Sequence, residues 1–161
     1  MSSSRHPRVG DVTVVAGGRE RSQSVAAGLA ALRDDVDLVL VHDAARCLAP
    51  PSLFDRLVAA VRDGHGAVVP GLLLTDTIKQ VDDRGHVVAT PDRASLRAVQ
   101  TPQAFRRSVL RDAHASGEDA TDDAALVERS GGTVLVIDGD ELAFKVTTPA
   151  DLERAGRILG S

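Results

Sequence analysis

An apolar run at residues 38–41 is followed at once by His42, Asp43, Ala44, Ala45 and Arg46. In open α/β sheets ligands collect at the carboxyl ends of strands. A carboxylate placed there holds a divalent metal or a ribose hydroxyl, and an arginine three residues on meets a phosphate. The same residues also suit an Asp–Arg ion pair that closes a loop. Upstream, Gly17, Gly18, Arg19, Glu20, Arg21, Ser22, Gln23 and Ser24 place a glycine turn, two guanidiniums and hydroxyls where an apolar run hands over to a helical pattern. Backbone N–H groups of such a turn fit a base edge or a phosphate, and a tight turn with solvated arginines fits the same residues.

Further hydroxyls and cations occur at Thr75, Asp76, Thr77 and Lys79, at Asp92 and Arg93, and at Arg97, Gln100, Thr101 and Gln103. Each group alone reads as a hydrogen-bonded loop or a solvated face. Thr121, Asp122 and Asp123 suit the cap of a following helix. Lys145, between Phe144 and Val146, puts an ammonium at the tip of an apolar segment, where it meets an anion or snorkels to water. His6, His42, His65, His86 and His114 show no spacing of a histidine zinc site. The single cysteine, Cys47, excludes an internal disulfide framework and suits a reducing compartment such as the cytoplasm.

Strands alternating with helices must position these groups. Residues 12–16 are a β-branched run ended by Gly17 and Gly18, and Val25, Leu29 and Leu32 then recur at helical spacing. The nearly continuous apolar run at 38–41 predicts a strand covered on both faces. Ser52 is expected to cap a helix carrying Leu53, Leu57, Val58 and Val61, which Gly64 and Gly66 stop before the strand at 67–70. This alternation predicts a mostly parallel sheet. Residues 76–81 and 86–89 flank the polar turn Asp82, Asp83, Arg84, Gly85 and predict a hairpin arm, which needs the domain face or another subunit to cover it. Beyond it we expect a strand over 96–100, helices over 103–115 and 120–129, and strands over 133–137 and 143–147. A last helix starts at Thr148, Pro149, Ala150 and Asp151, with Thr as cap and Pro in the first turn.

Bulk properties narrow the field. The 161 residues suit one globular domain, and 43% hydrophobic content is enough to bury a core. A net charge of -4 argues against general nucleic-acid affinity, which wants a positive excess. With three Phe and no Trp or Tyr, the chain has no stacking platform for single strands. No apolar run approaches the roughly 20 residues that cross a bilayer. Residues 1–11 read as a flexible leader, with no signal-peptide core.

In order, the glycine–arginine–serine stretch at 17–25, Val41 to Arg46, Asp76 to Lys79, Gln100 to Gln103, Thr121 to Ala124 and Phe144 to Leu152 closely resemble the 2-C-methyl-D-erythritol 4-phosphate cytidylyltransferase family. The resemblance implies an α/β, Rossmann-like nucleotidyltransferase fold with a mostly parallel sheet and a protruding β-arm over about residues 74–97. It also implies a cytoplasmic homodimer with exchanged arms that works in the non-mevalonate route to isoprenoids. The implied reaction is attack by a phosphate oxygen of methylerythritol phosphate on the α-phosphorus of CTP, with Mg²⁺, releasing pyrophosphate. By resemblance, Gly18 and Ser24, helped by Arg21, contact the nucleotide base. Asp43 holds the ribose or metal region, with Arg46 beside it, and Lys145 faces the phosphates. Arg93 and Thr101 bind methylerythritol phosphate, with Thr77 and Thr121 as further substrate contacts. The family opens with a strand and a glycine-rich loop bearing Arg and Lys, which residues 1–10 do not match. Residues 12–161 are therefore expected to form a partial domain, with its first strands missing, whose unaided turnover of CTP is negligible. A non-catalytic dimerising member of the family and a related sugar-nucleotide transferase are the alternatives.

Overall fold

The computed structural model describes residues 12–115, 117 and 120–160. The leader expected at residues 1–11 lies outside them. The chain runs α1 (Arg21–Ala30), β1 (Leu38–Val41), α2 (Pro51–Arg62), β2 (Ala67–Leu73), the short β3 (Gln80–Val81) and β4 (Val87–Ala89), then β5 (Arg97–Val99) and β6 (Gln103–Arg106). It continues through α3 (Arg107–His114), α4 (Asp123–Arg129), β7 (Leu135–Asp138) and α5 (Pro149–Leu159). Among the described residues no helix is long and apolar enough to cross a membrane.

β2 is the axis of the sheet. At Val68 it is flanked by Ala104 of β6 and Leu135 of β7, and at Gly71 by Val99 of β5 and Asp138 of β7. β7 therefore lies along one side of β2, and β5 and β6 follow one another along the other. Gly71 has no room for a side chain: a Cβ would stand 2.9 Å from Arg97 Cβ and 3.0 Å from a Val136 methyl. β1 joins the outer side of β6, antiparallel, with Val39 opposite Phe105. The ladders give β1, β2 and β7 one common direction while β5 and β6 reverse, so among the described residues β2–β7 pairs parallel and the other three ladders of this sheet are antiparallel.

Both faces of this sheet are covered, and successive residues divide between two cores. Val68 and Ala104 face one, with Leu53, Leu57 and Val61 of α2. Those three recur at every fourth position, so they form one stripe of the helix. Ala67 and Phe105 face the other core, with Leu110 and Ala113 of α3 and Leu126 and Val127 of α4. Val25 and Leu29 of α1 border this second core. The β3–β4 hairpin forms a separate two-stranded ribbon with Val81, Val87 and Val88 exposed, as the arm reading anticipates.

Four expectations are corrected. Residues 12–16 form no strand, and Val12 and Val14 are 71% and 89% exposed. A β-branched run makes a strand only where a neighbour completes its ladder, and none does so here. Gln103–Arg106 is strand rather than helix, because Ala104 and Phe105 must face opposite cores, a period of two that only a strand supplies. Over 143–147 there is no strand. A 3-10 turn at Glu141–Ala143 leads into extended chain outside the sheet. Finally, α2 begins at Pro51 after Pro50, ahead of the expected cap at Ser52, since a proline at the first helical position gives up no needed N–H.

α5 starts as expected. The N–H of Thr147, the hydroxyl and N–H of Thr148 all donate to the Asp151 carboxylate, and the Asp151 N–H donates back to Thr148 Oγ1. These donors, the Thr147 N–H foremost, hold the Asp151 carboxyl below its ordinary value of 3.8. A carboxyl lowered by folding adds stability that is complete above its unfolded value and is lost as pH falls through the folded one. Asp151→Asn is thus expected to lower the urea midpoint at neutral pH, with the gap from wild type closing below pH 3.8. A gap that persists unchanged in acid would refute the charged cap. For the core, Leu57→Ala, at a site with no exposure, is expected to cost about 2–5 kcal/mol of unfolding free energy by urea titration.

Candidate active site

The cleft is built where β1 ends. Past Val41 the chain turns through Asp43, whose carbonyl accepts the Arg46 N–H at 2.9 Å. The Asp43 N–H is held from the other side by Thr101 Oγ1 at 2.9 Å, and that hydroxyl also lies 3.1 Å from His42 Nδ1. Thr101 is buried, so its hydroxyl is committed to fixing the Asp43 backbone. His42 is exposed, with its ring edge-on to Phe54 at 5.2 Å.

A distant segment closes the cleft. Arg46 does not pair with Asp43; its Nη1 donates to the Ala143 carbonyl at 2.7 Å. The Val146 N–H donates to the Ala45 carbonyl at 2.8 Å. The Gln100 side chain spans the Asp140 backbone, Nε2 donating to its carbonyl (2.9 Å) and Oε1 accepting its N–H (3.0 Å). These bonds carry Lys145 over the β1 loop, where its Nζ stands 3.1 Å from Asp43 Oδ2. Arg21 approaches Asp43 from the other side, Nε to Oδ1 at 4.0 Å. The resulting cavity of about 210 Å³ is lined by Arg21, Asp43, Arg46, Thr101, Thr121 and Lys145, together with Gln100, Gln103 and Asp122.

Six of the residues singled out in the sequence thus share one cleft. Gly18 and Ser24 stand at its approach, in the loop before α1: the Gly18 N–H donates to Ser24 Oγ at 3.1 Å, and Ser24 Oγ reaches the Glu20 carbonyl at 3.3 Å. A Cβ at Gly18 would lie 2.2 Å from Gln23 Cβ, so the loop closes this tightly only on glycine. Arg93 and Thr77 do not line the cleft. Both are exposed at the root of the arm, where Arg93 Nη1 donates to the Thr75 carbonyl.

Other residues carry more than their sequence signal suggested. Asp122 caps α4 by accepting the Ala125 N–H at 2.9 Å, as the capping reading has it, and also accepts from Gln103 Nε2 at 2.9 Å. Gln103 is buried, and its Oε1 has no partner among the described residues, leaving an acceptor beside the cleft. Asp123 is fully buried and meets Arg21 and His114. The Thr-Asp-Asp order is consistent with a cap alone, and only the fold reveals the second aspartate's partners.

For a divalent cation the donor set is lean. Among the described residues no three His, Cys, Asp or Glu side chains gather to hold a metal. Of the two carboxylates lining the cavity, Asp122 already accepts from the Ala125 N–H and Gln103 Nε2, which leaves Asp43. One carboxylate fits Mg²⁺ when phosphates and water fill the remaining positions, the usual arrangement for a metal that arrives with a nucleotide.

Carboxylates, three cations and hydroxyls at the carboxyl end of a strand in a two-faced α/β sheet are the place and the chemistry at which α/β proteins take anionic ligands such as nucleotides. The family model described as IspD, 2-C-methyl-D-erythritol 4-phosphate cytidylyltransferase, matches residues 3–161. A cytidylyltransferase of that name from Rhodococcus jostii is 58% identical over 99% of this chain and 70% of its own length. Another, from Frankia casuarinae, is 58% identical over 93% of this chain and 57% of its own. The crystal structure of the Thermus thermophilus cytidylyltransferase superposes with a TM-score of 0.82 at 36% identity, covering 99% of this chain and 79% of that one. The chain belongs to the 2-C-methyl-D-erythritol 4-phosphate cytidylyltransferase family of isoprenoid biosynthesis. It spans between 57% and 79% of the length of these three relatives.

The Arg46 bridge generates a prediction. Arg46→Gln is expected to lower unfolding stability by about 1.5–3 kcal/mol, the range for hydrogen bonds from a charged group, and to speed amide exchange at Val146. Exchange at Val146 as slow as in the wild type would show that the bridge does not hold the segment.

Proposed function

We propose that this chain binds CTP with Mg²⁺ and 2-C-methyl-D-erythritol 4-phosphate in this cleft, as part of a cytidylyl transfer that releases pyrophosphate. The observation that carries the reading is Asp43 caught between Lys145 and Arg21 at the end of β1. In such a transfer a phosphate oxygen of the acceptor attacks the α-phosphorus, the bond to the β-phosphate oxygen breaks, and pyrophosphate leaves. The protein's part is alignment and neutralisation of the charge spread over phosphate oxygens. Lys145, 48% exposed at its side chain, is the cation best placed to turn from Asp43 to a phosphate. Asp43, relieved of its lysine, then faces the ribose or the metal. Mg²⁺ supplies charge neutralisation at the phosphates, with Asp43 as its protein contact. Gly18 and Ser24 stand on the base side.

The second substrate and the dimer belong to the same reading. The exposed ribbon of β3 and β4 offers Val81, Val87 and Val88 to a second copy, and a two-stranded ribbon is marginal without such cover. Arg93 and Thr77, held away from the cleft of their own chain, would serve the partner's cleft, opposite Thr101 and Thr121. Cytoplasmic residence fits the unpaired, exposed Cys47.

Turnover by this chain alone is expected to be slow. Two of the cleft's three cations are paired with carboxylates, Arg21 with Asp123 and Lys145 with Asp43, while Arg46 donates to the neutral Ala143 carbonyl and keeps its charge, so a triphosphate must compete with two carboxylates. Calorimetric titration separates the parts. CTP with Mg²⁺ should bind, Lys145→Ala should weaken it about 10-fold or more, at the scale of one charged hydrogen bond, and methylerythritol phosphate should bind independently. Absence of any heat from CTP would refute the nucleotide reading. Pyrophosphate release at the pace of ordinary enzymes, on the order of 1–10³ per second, would overturn the slow-turnover expectation.

A further inference from the structure

Asp123 has no exposed surface, yet it is a carboxylate in the first turn of α4. Its Oδ2 lies 2.7 Å from Arg21 Nη2, and its Oδ1 lies 2.9 Å from His114 Nε2 at the end of α3. A buried charge is tolerated only when paired, and removing one partner leaves the other stranded. Arg21 is itself out of place by helix electrostatics: it is the first residue of α1, where the helix dipole disfavours a cation. Asp123 offsets that cost. The outer three side chains are open to solvent, Lys145 at 48%, Asp43 at 24% and Arg21 at 33%, whereas Asp123 and His114 behind them are at 0% and 7%. The outer end handles ligand, and the inner end is fixed.

Resting on the function proposed above, we infer that Asp123 and His114 are positioning residues that lock Arg21 as a strut against Asp43. His114 fixes the plane of the Asp123 carboxylate, so that Oδ2 faces Arg21. Asp123 meets the guanidinium at Nη2, 2.7 Å away, and Nε, on the same edge of the guanidinium, stands 4.0 Å from Asp43 Oδ1, so this one edge lies between the two carboxylates. With Nη2 on Asp123 and the neighbouring Nε toward Asp43, Arg21 acts through the carboxylate that meets the nucleotide. Three helices, α1, α3 and α4, are thereby tied to the position of one cleft side chain.

The test reads Arg21 directly in the ligand-free, full chain, by the nitrogen-15 and hydrogen-exchange signals of its guanidinium Nη–H groups, where Asp123 makes contact. The wild type should show a slowly exchanging Arg21 signal. Asp123→Asn should abolish that protection, His114→Ala should weaken it, and His114→Gln, which still donates to Asp123, should restore most of it. In parallel, CTP titration should show Asp123→Asn raising Kd about 10-fold or more, the scale of outer-shell positioning partners. Adding Asp123→Asn to Arg21→Gln should raise Kd no further than Arg21→Gln alone, because the two act through one another. An Arg21 signal unchanged in Asp123→Asn, or Kd effects that simply add, overturns the inference. If Asp123→Asn does not fold, the His114→Ala and His114→Gln pair decides it. A wild type that binds no CTP defeats the proposed function instead, while the Arg21 signal still decides whether the strut exists.

Discussion

The cleft depends on one junction: the loop after β1 bonded to the segment that ends in Lys145. Arg46 reaches the Ala143 carbonyl across 97 residues of sequence, and the Val146 N–H closes onto Ala45 beside it. Apart from the burial of Ala143 in the core that Val68 and Ala104 share, these two bonds are what hold Lys145 near Asp43, because residues 143–147 belong to no strand. Gln100 adds a third tie, to Asp140. The electrostatics of the cleft follow from this backbone geometry. An ammonium 3.1 Å from a carboxylate is a contact that the fold enforces on a pair still open to solvent, where free ion pairs contribute little stability.

The sheet supports that junction by dividing labour between its two faces. The face under α2 takes Leu38 and Leu40 of the strand whose end carries Asp43, and the opposite face takes its Val39 and Val41. That opposite face, under α3 and α4, anchors the helices that carry His114 and Asp123. Phe105 and Ala104 are adjacent in sequence and face opposite cores, so β6 cannot slip by one residue without exchanging the two. That register also sets Thr101 and Gln103, just before and at the start of β6, under the Asp43 loop. Core packing and site geometry are thus read from the same few residues.

Much of this was legible in the sequence. The strand at 38–41, the helix with Leu53, Leu57 and Val61, the hairpin arm and the capped last helix follow from local pattern and end chemistry, and each is present. Arg21, Asp43, Arg46 and Lys145 stood out by charge and by their place at the ends of apolar runs, whereas Thr101 and Thr121 read singly as loop and cap residues and entered the site through the resemblance. Their convergence was argued from the order of motifs. What escaped is long-range by nature. Nothing local marks residues 103–106 as strand: the segment runs straight into helix α3, and its period of two spans only four residues. Residues 12–16 carry a good strand pattern, but a pattern names no neighbour. The second aspartate of the pair at 122 and 123 looks like a helix cap, and its burial against Arg21 and His114 arises from three helices meeting.

The long reach of the Arg46 bridge orders events in time. A polypeptide leaving the ribosome presents the β1 loop early, while the stretch bearing Lys145 is still to be synthesised. In that interval Asp43 stands without its ammonium, and no cation from the far end screens it. The cleft therefore takes its full form only after the segment bearing Lys145 has been made and bonded to the β1 loop.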